Sequence, residues 1–387
     1  MNNTCHSCGH GSLQIFYQVL QIPVHSCFMV STREEALSFP KGDLKLGFCP
    51  ACGFIQNNLF QPEMHNYSVD YEETQGFSPR FRDFLSELCA DQIEKYQLRG
   101  KRILEIGCGK GEFLVELCQQ GQNHGIGIDP AYRPERTTSE AASRIEFIQD
   151  FYSEKYTHLT GDYVCCRHTL EHIQPVRNFL ARIRRTLSNE TIVFFELPDV
   201  KRVLEEQAFW DIYYEHCSYF TLGSLARLFR SCDFEILDLY TAYDDQYLML
   251  EARPGAGENA RGIDLEQDLA ETAANVERFQ LEIPRKLQAL GEMVDSLRGR
   301  RPVVWGSGSK AVSYITTLGI QEELEFIVDI NPHKQGKFLA GSGHKIVAPE
   351  ILKDYRPEVI IVMNPIYCTE IQENLNELGV VAELIPL

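Results

Sequence analysis

Length, composition and charge narrow the possibilities before any motif is considered. The chain has 387 residues, enough for two or three domains, and its 44% hydrophobic and 24% charged residues are typical of a globular protein. Its formal net charge of −18 argues against nucleic acids and anionic membranes as partners, because binding to phosphates relies on clustered Lys and Arg.

Apolar runs such as Thr191–Phe195 are the length of a strand and far too short to span a bilayer. The first residues show neither the basic start nor the apolar core of a secretion signal. Most of the 13 cysteines stand singly in apolar segments, which is typical of a reducing compartment. We therefore expect a cytoplasmic protein, a monomer or a homodimer.

Two Cys-x-x-Cys pairs, Cys5-His-Ser-Cys8 and Cys49-Pro-Ala-Cys52, mark the N-terminal region. Each pair can hold a metal ion from a tight turn, and four thiolates leave no open coordination position. The pattern predicts a structural Zn²⁺ in a module over residues 1–75. Three histidines are alternative ligands: His6, His10 and His25.

Between residues 76 and 253, short apolar runs alternate with helical segments, after a first helix predicted over residues 80–99. The predicted strands are Arg102–Ile106, His124–Ile128, Ile145–Ile148, Tyr163–Cys166, Thr191–Glu196, Asp233–Leu239 and Gln246–Glu251. The helices between them include Glu112–Gln120 and Val176–Leu187. This alternation predicts an α/β domain with a Rossmann-like, doubly wound parallel sheet.

The run Pro254-Gly255-Ala256-Gly257 interrupts the pattern, and residues 254–300 then predict one or two connecting helices. A second α/β block follows over residues 301–387. Its predicted elements are strand Pro302–Trp305, a helix over 310–318, strands Glu325–Val328 and Val359–Val362, and a helix over 368–377. We expect a smaller, Rossmann-like C-terminal domain.

The strongest motif is the turn Gly107-Cys108-Gly109-Lys110-Gly111, which joins a buried strand to a helix. Glycine lets the backbone approach a ligand closely, and the start of a helix exposes unpaired N–H groups. The next strand ends at Asp129, where a carboxylate can accept both ribose hydroxyls of an adenosine. Nicotinamide-dinucleotide enzymes share this logic and remain an alternative.

Glu105, two residues before the first glycine, and the Gly-x-Gly-x-Gly spacing resemble class I S-adenosylmethionine methyltransferases. That resemblance implies that Gly107, Cys108 and Gly109 bind the cofactor and that Glu105 supports its amino-acid end. It also implies that Asp150, in Gln149-Asp150-Phe151, contacts the adenine. His168 follows the fourth strand, where such sheets bind ligands, and is a further candidate cofactor-binding residue.

Tyr213, Glu215 and His216 are crowded into a short polar stretch. Histidine takes a proton near neutral pH, and a phenol or carboxylate can orient it, so the group is a candidate acid/base site. A hydrogen-bonded structural cluster is the alternative.

Nearly the whole chain resembles the sugar C-methyltransferases of deoxysugar biosynthesis, which methylate C3 of nucleotide-linked keto-sugars. The shared motifs are the double Cys knuckle, the Glu105–Gly111 loop, the Ile212–Phe220 stretch, the Trp305–Lys310 turn and Val328–Gly336. The resemblance implies a zinc-binding domain, then a methyltransferase domain and a Rossmann-like domain, with the substrate in the cleft between them.

By this resemblance His216 is the general base that removes the proton alpha to the keto group, and Tyr213 and Glu215 are its neighbours around the sugar. His172 matches a substrate-side histidine, and Tyr71 matches a tyrosine that reaches the site from the N-terminal domain. The implied partner is a small molecule, a nucleotide sugar.

Some segments differ from the family pattern. Tyr243-Asp244-Asp245-Gln246-Tyr247 stands where the family has a His-Gly-Gly-Ser-like turn, Tyr214 replaces a histidine, and Asn364-Pro365-Ile366 replaces a Trp-Asn turn. O- or N-methylation of another small metabolite, or a non-catalytic ligand-binding protein, therefore remains an alternative. Gly306-Ser-Gly308-Ser-Lys310 is either a phosphate cradle or only a tight turn.

Overall fold

A computed structural model describes residues 3–64, 70–255 and 262–387. Within these ranges, no helix combines the length and the apolar character that crossing a bilayer requires. The N-terminal part contains strand β1 (Gln14–Pro23), helix α1 (Arg33–Leu37), strand β2 (Lys41–Phe48) and strand β3 (Ile55–Asn57). The three strands pair antiparallel in the order β1-β2-β3.

The central part follows the alternating pattern that the sequence predicts. Its elements are α2 (Pro79–Tyr96), β4 (Arg102–Ile106), α3 (Glu112–Gly121), β5 (His124–Ile128), β6 (Ile145–Ile148), β7 (Tyr163–Arg167), α4 (Val176–Thr186), β8 (Ile192–Pro198), α5 (Val200–Glu206), β9 (Ser218–Tyr219), α6 (Leu222–Arg230), β10 (Phe234–Ala242) and β11 (Tyr247–Pro254). Seven strands form one sheet in the order β10-β11-β8-β7-β4-β5-β6, in which β11 alone runs antiparallel to its neighbours.

The order of the parallel strands determines where a ligand can bind. From β4 the chain proceeds outward to β5 and β6, then returns to β7 and β8 on the other side. The connections that follow the neighbouring strands β4 and β7 therefore run in opposite directions. Such a divergence leaves a crevice at the carboxyl ends of the two strands. The helices cover the faces of this sheet. In α4, for example, Val176, Phe179, Leu180 and Ile183 recur at helical spacing and are buried.

The N-terminal sheet is completed by a strand from much later in the chain. Strand β9 pairs with β3, with Ile55 opposite Tyr219 and Gln56 opposite Ser218. Because β9 lies within the range predicted for the methyltransferase domain, residues 76–253, the N-terminal sheet and the central domain share a segment. That segment directly follows the candidate residues Tyr213–His216.

The connector is one long helix, α7 (Leu269–Ser296), rather than two. It packs on the N-terminal sheet, where Phe279 meets Phe16 edge to face with ring centroids 5.9 Å apart. The sequence predicted a connector over residues 254–300, of which residues 256–261 lie outside the described ranges.

The C-terminal part forms a second parallel sheet. Its elements are β12 (Val303–Trp305), α8 (Ser309–Leu318), β13 (Phe326–Val328), β14 (Lys345–Val347), α9 (Leu352–Tyr355), β15 (Val359–Val362), α10 (Cys368–Leu378) and β16 (Glu383–Pro386), and the strand order is β14-β13-β12-β15-β16. The predicted α/β fold, with two Rossmann-like sheets and an N-terminal module, is confirmed. Strands β14 and β16 were not predicted.

Candidate active site

A cavity of about 540 Å³ lies where the three sheets meet. The carboxyl ends of β4, β5, β7 and β8 form one wall of it. Cys27 and Tyr71 reach it from the N-terminal part, and the Gly306–Lys310 turn reaches it from the C-terminal part. Most of the predicted site residues, from all three regions of the chain, therefore border one space.

The turn after β4 requires its glycines. Gly107, Gly109 and Gly111 have φ values of 74°, 53° and 85°, in the left-handed region. A β-carbon on Gly107 would lie 1.9 Å from the hydroxyl of Thr169, so no other residue fits there. The loop thus borders the cavity with bare backbone at its glycines, while the N–H groups of Gly107, Gly109 and Gly111 donate to Ile128, Asp129 and Cys108.

The Asp129 carboxylate lies against this loop. It accepts hydrogen bonds from the N–H of Gly109 at 2.9 Å and of Ala131 at 2.7 Å. Burial raises the pKa of Asp129, and these two N–H donors lower it. Each carboxylate oxygen has a further lone pair, and Asp129 borders the cavity. Both features are needed if Asp129 is to accept hydrogen bonds from the two ribose hydroxyls.

Glu105 lies at the base of the same wall and is 2% exposed. Among the described residues its Oε2 atom has no hydrogen-bond partner. Burial raises the pKa of this carboxyl to about 8, against the opposing charge of Arg167. A buried, unsatisfied carboxylate behind a glycine loop suits a cofactor that carries positive charge.

Asp150 also borders the cavity, beyond β6, but its oxygens have other partners. The Tyr156 hydroxyl donates to it at 2.5 Å and the Lys155 ammonium at 2.9 Å, and both lower its pKa to about 2. The N–H of Phe151 donates to the other oxygen. Its contact with an adenine stays a prediction.

His168 borders the cavity with a left-handed backbone, φ 46°. Its Nε2 lies 2.9 Å from Glu196, and Glu196 also accepts two hydrogen bonds from Arg167, at 2.7 and 2.8 Å. Burial alone would lower the pKa of His168, but Glu171 and Glu196 raise it to about 9. His168 is therefore a fixed cation at neutral pH.

His216 lies in the cavity wall among other rings. Its ring centroid is 4.2 Å from that of Tyr213 and 4.7 Å from that of His172, which meets it edge to face. The His172 Nδ1 lies 3.1 Å from the carbonyl oxygen of Glu215. Because a carbonyl only accepts, Nδ1 is the protonated nitrogen of His172. Burial raises the pKa of Tyr213 well above its ordinary value, so its hydroxyl remains a donor.

Glu215 differs from these neighbours, because its side chain turns away from the cavity. It is 1% exposed, and its carboxylate accepts from the N–H of Ser26 at 3.1 Å and lies 3.2 Å from His25 Nδ1. The prediction that Glu215 surrounds the sugar therefore gains no support from its position. His25 lies beside Glu215. This position does not support the alternative in which His25 replaces a cysteine as a zinc ligand.

Tyr71 reaches the cavity as the resemblance implies. Its backbone pairs with Phe28 in an isolated antiparallel bridge, and its carbonyl oxygen accepts from Lys110 at 2.8 Å. Cys27, Tyr71 and Ala131 form a small buried apolar cluster beside the cavity. Cys27 was missed, since only the pairing of residues 27–29 with 70–72 brings it there.

Some residues of the segments that differ from the family pattern border the cavity, and others lie outside it. Gln246 and Asn364 border the cavity and hydrogen-bond to each other, at 2.9 and 3.2 Å. Asp244 and Asp245 are exposed and lie outside the lining. Tyr214 is buried elsewhere, and its hydroxyl accepts from the N–H of Gln61 at 2.9 Å.

The Gly306–Lys310 turn faces the cavity from the C-terminal part. Ser307 donates to Asp329 through its N–H at 2.8 Å and its hydroxyl at 2.5 Å, which fixes the turn before α8. Lys310 lies 3.1 Å from Asp211, and Lys334 lies 3.9 Å from Asp329. The turn, the helix start and two ammonium groups thus stand at one side of the cavity.

The four predicted zinc ligands converge. The Sγ atoms of Cys5, Cys8, Cys49 and Cys52 all lie within 4.8 Å of one another, with Cys5–Cys52 at 3.7 Å and Cys8–Cys49 at 3.6 Å. Four sulfurs held tetrahedrally at about 2.3 Å from one Zn²⁺ would be roughly 3.8 Å apart. The thiols therefore fit a zinc ion, at a distance from the cavity, whose lining includes none of them.

Comparison with known proteins agrees with this arrangement. Residues 80–239 match a family described as a methyltransferase domain, and residues 254–381 match the C-methyltransferase C-terminal domain. The chain is 27% identical over 319 residues to the C-methyltransferase NovU of Streptomyces niveus, which covers 76% of this chain and 73% of that protein.

Two further proteins are similar over shorter stretches. The ubiquinone biosynthesis O-methyltransferase of Erwinia tasmaniensis is 26% identical over 126 residues, which covers 31% of this chain and 51% of that protein. The 1,6-didemethyltoxoflavin-N1-methyltransferase of Burkholderia thailandensis, solved with S-adenosylhomocysteine, has a TM-score of 0.35 and 18% identity, covering 44% of this chain and 78% of that one.

Proposed function

The chain belongs to the S-adenosylmethionine-dependent methyltransferases, and on that premise we propose that it methylates a carbon next to the carbonyl group of a nucleotide-linked keto-sugar. The observation that carries this proposal is the cavity that the Gly107–Gly111 loop shares with His216. The match to a C-methyltransferase C-terminal domain over residues 254–381 supports carbon as the acceptor atom.

The residues around the loop suit the cofactor. Asp129 would accept the ribose hydroxyls, the glycines would let the cofactor approach the backbone closely, and Glu105 would offset positive charge. S-adenosylmethionine, when bound, supplies an electrophilic methyl group on a sulfonium centre. The protein's own contribution is to align the acceptor carbon and to exclude water.

We assign the role of general base to His216. An imidazole can remove the acidic proton alpha to a carbonyl at neutral pH, and His216 borders the cavity. The protonated Tyr213 hydroxyl would donate to the acceptor's carbonyl oxygen and stabilise the negative charge that develops there. His172, which borders the cavity beside His216, would contact the sugar.

The diphosphate of the acceptor is assigned to the C-terminal side of the cavity. The start of α8, Lys310 and Lys334 provide N–H groups and positive charge there. Both ammonium groups already face a carboxylate, Asp211 and Asp329 respectively, so a bound diphosphate would compete with these ion pairs. Zn²⁺ at the four cysteines is proposed as a structural ion that fixes the N-terminal sheet.

The test is proton exchange followed by product analysis. The enzyme is incubated in D₂O with S-adenosylhomocysteine and a nucleotide-linked keto-sugar, and loss of the alpha proton is followed by NMR. Exchange at the carbon, and a product methyl group on that carbon when S-adenosylmethionine is supplied, would support the proposal. A methyl group on oxygen, with no exchange, would refute it.

The His216→Asn variant tests the base. Asparagine keeps a polar side chain but cannot take the proton, so both exchange and methyl transfer should be lost while S-adenosylhomocysteine still binds. The control is His158→Asn, because His158 lies outside the cavity lining and its loss should change neither. Retained exchange in His216→Asn would exclude His216 as the base.

A further inference from the structure

The segment Asp70–Ser78, here called the crossing segment, runs from the N-terminal sheet to helix α2 across the mouth of the cofactor loop. Its first residues pair with the N-terminal part, through Met29 N–H to Asp70 O at 3.2 Å and Glu72 N–H to Cys27 O at 2.9 Å. Its last residue, Ser78, caps α2. Tyr71, Glu73, Thr74 and Gln75 border the cavity. A stretch of the N-terminal part therefore borders the space assigned to the cofactor.

Glu73 lies directly on the loop. A β-carbon on Gly109 would be 2.8 Å from its Oε1 atom, so the absence of a side chain at Gly109 makes room for this carboxylate. The Glu73 side chain is 33% exposed, and the residue lines the cavity. Glu105, the acidic residue of the motif, is 2% exposed and lies deeper in the wall.

Lys110 holds the crossing segment against the loop. Its side chain is 1% exposed, and its ammonium donates to the carbonyl oxygens of Tyr71 at 2.8 Å and Ala131 at 2.9 Å, and to Glu73 at 3.3 Å. Three acceptors at these distances occupy all three of its protons. The second Glu73 oxygen is left for a partner in the cavity.

Charge around the loop is unbalanced toward acid. Glu73, Glu105 and Asp129 lie around it, and Lys110 contacts Glu73; the cations Arg167 and His168 also border the cavity but are paired with Glu196. Asp129, at the end of β5, is assigned to the ribose, which leaves two carboxylates for the positive charges of the ligand. Burial raises the pKa of Glu73 to about 7 in spite of Lys110, so a second cation beside it would favour its ionised form.

We propose that Glu73 is a cofactor-binding residue, which accepts a hydrogen bond from the α-ammonium group of the methionine part of S-adenosylmethionine. The assignment rests on binding of that cofactor in the Gly107–Gly111 loop. Both glutamates border the cavity, but the Glu73 side chain is 33% exposed whereas Glu105 is 2% exposed, so Glu73 is the more accessible acceptor. The N-terminal part then takes part in cofactor binding as well as in acceptor binding.

The experiment measures binding by calorimetry, not turnover, for wild type and Glu73→Gln. S-adenosylhomocysteine carries the α-ammonium, and 5′-methylthioadenosine lacks the whole amino-acid end while keeping the adenosine. We expect Glu73→Gln to weaken binding of S-adenosylhomocysteine about tenfold, which is the contribution to affinity of a hydrogen bond between charged groups. Binding of methylthioadenosine should be unchanged, because this ligand lacks the ammonium group. Glu63→Gln, an exposed glutamate of the N-terminal part, is the matched control and should change neither.

The two ligands make the outcomes distinct. Equal weakening of both ligands would mean that Glu73 only supports the loop, and unchanged binding of both would mean that it does not face the ligand. Each of these results overturns the assignment. Failure of the wild type to bind either ligand would instead refute the premise of a cofactor site in this loop.

Discussion

Replacing Asp129 with Ala removes a carboxylate that both supports the cofactor loop and faces the cavity. Its hydrogen bonds to Gly109 and Ala131, at 2.9 and 2.7 Å, exist without ligand, so their loss affects the free and the bound protein alike. The effect on affinity comes mainly from the two ribose hydroxyls. Hydrogen bonds to a charged group contribute about 1–3 kcal/mol, so binding of S-adenosylhomocysteine should weaken roughly 5- to 150-fold.

Calorimetric titration of Asp129→Ala with S-adenosylhomocysteine measures this change. Asp244→Ala is the control, because Asp244 is an exposed carboxylate outside the cavity lining and its removal should leave the affinity unaltered. Thermal unfolding of both variants shows whether the loop remains folded. Unchanged affinity in a folded Asp129→Ala protein would mean that the adenosine binds elsewhere, and the assignment of the loop would fail.

Three further predictions follow from the zinc cluster, the His168 network and the loop. Metal analysis should find about one zinc per chain, and Cys49→Ser should lower both the zinc content and the unfolding temperature; a metal-free, equally stable wild type would contradict this. The pKa of His168 is raised from 6.5 to about 9, so its ion pairs stabilise the fold fully below pH 6.5, by up to about 3 kcal/mol, and this contribution is lost as pH rises through 9. Denaturant unfolding should show this loss of stability with rising pH in the wild type and a smaller loss in His168→Gln. Equal pH profiles of stability for the two proteins would contradict the prediction. Gly107→Ala should abolish binding of S-adenosylhomocysteine, since a β-carbon there overlaps a neighbouring hydroxyl, and calorimetry would reveal any retained binding.

The sequence predicted the central sheet well because several of its strands are largely buried apolar runs, separated by helices with a clear period. The predicted strand Thr191–Glu196, for example, is Ile192–Pro198 in the structure. Strands β1, β2, β3, β9, β14 and β16 were not predicted, and each is defined by the strand it pairs with. Pairing of this kind depends on tertiary contacts that the local sequence does not contain.

The candidate site was predicted by residue type, but not by orientation. Glu215 and His216 are adjacent, and they lie in a tight turn that the His216 N–H closes by donating to the Tyr213 carbonyl oxygen at 3.2 Å, so their side chains diverge. His216 consequently borders the cavity, whereas Glu215 bonds to Ser26. Glu73, two residues after Tyr71, and Cys27 were not singled out, because their approach to the cavity follows from the pairing of two distant backbone segments.

Contacts with all three sheets fix the position of the Tyr213–His216 loop. The need for these contacts is a physical reason for the length of the chain. On the N-terminal side, the Glu215 carboxylate is bonded to Ser26, and β9 extends the N-terminal sheet directly after the loop. On the C-terminal side, the Ser313 hydroxyl of α8 is bonded to the carbonyl oxygens of Phe209 and Ile212, at 3.1 and 2.7 Å. A base must be held within a fraction of an ångström to be effective, and a loop anchored at one end only would not hold it so. In the proposed reaction the flanking domains would therefore act by positioning His216, in addition to any contact that they make with the acceptor.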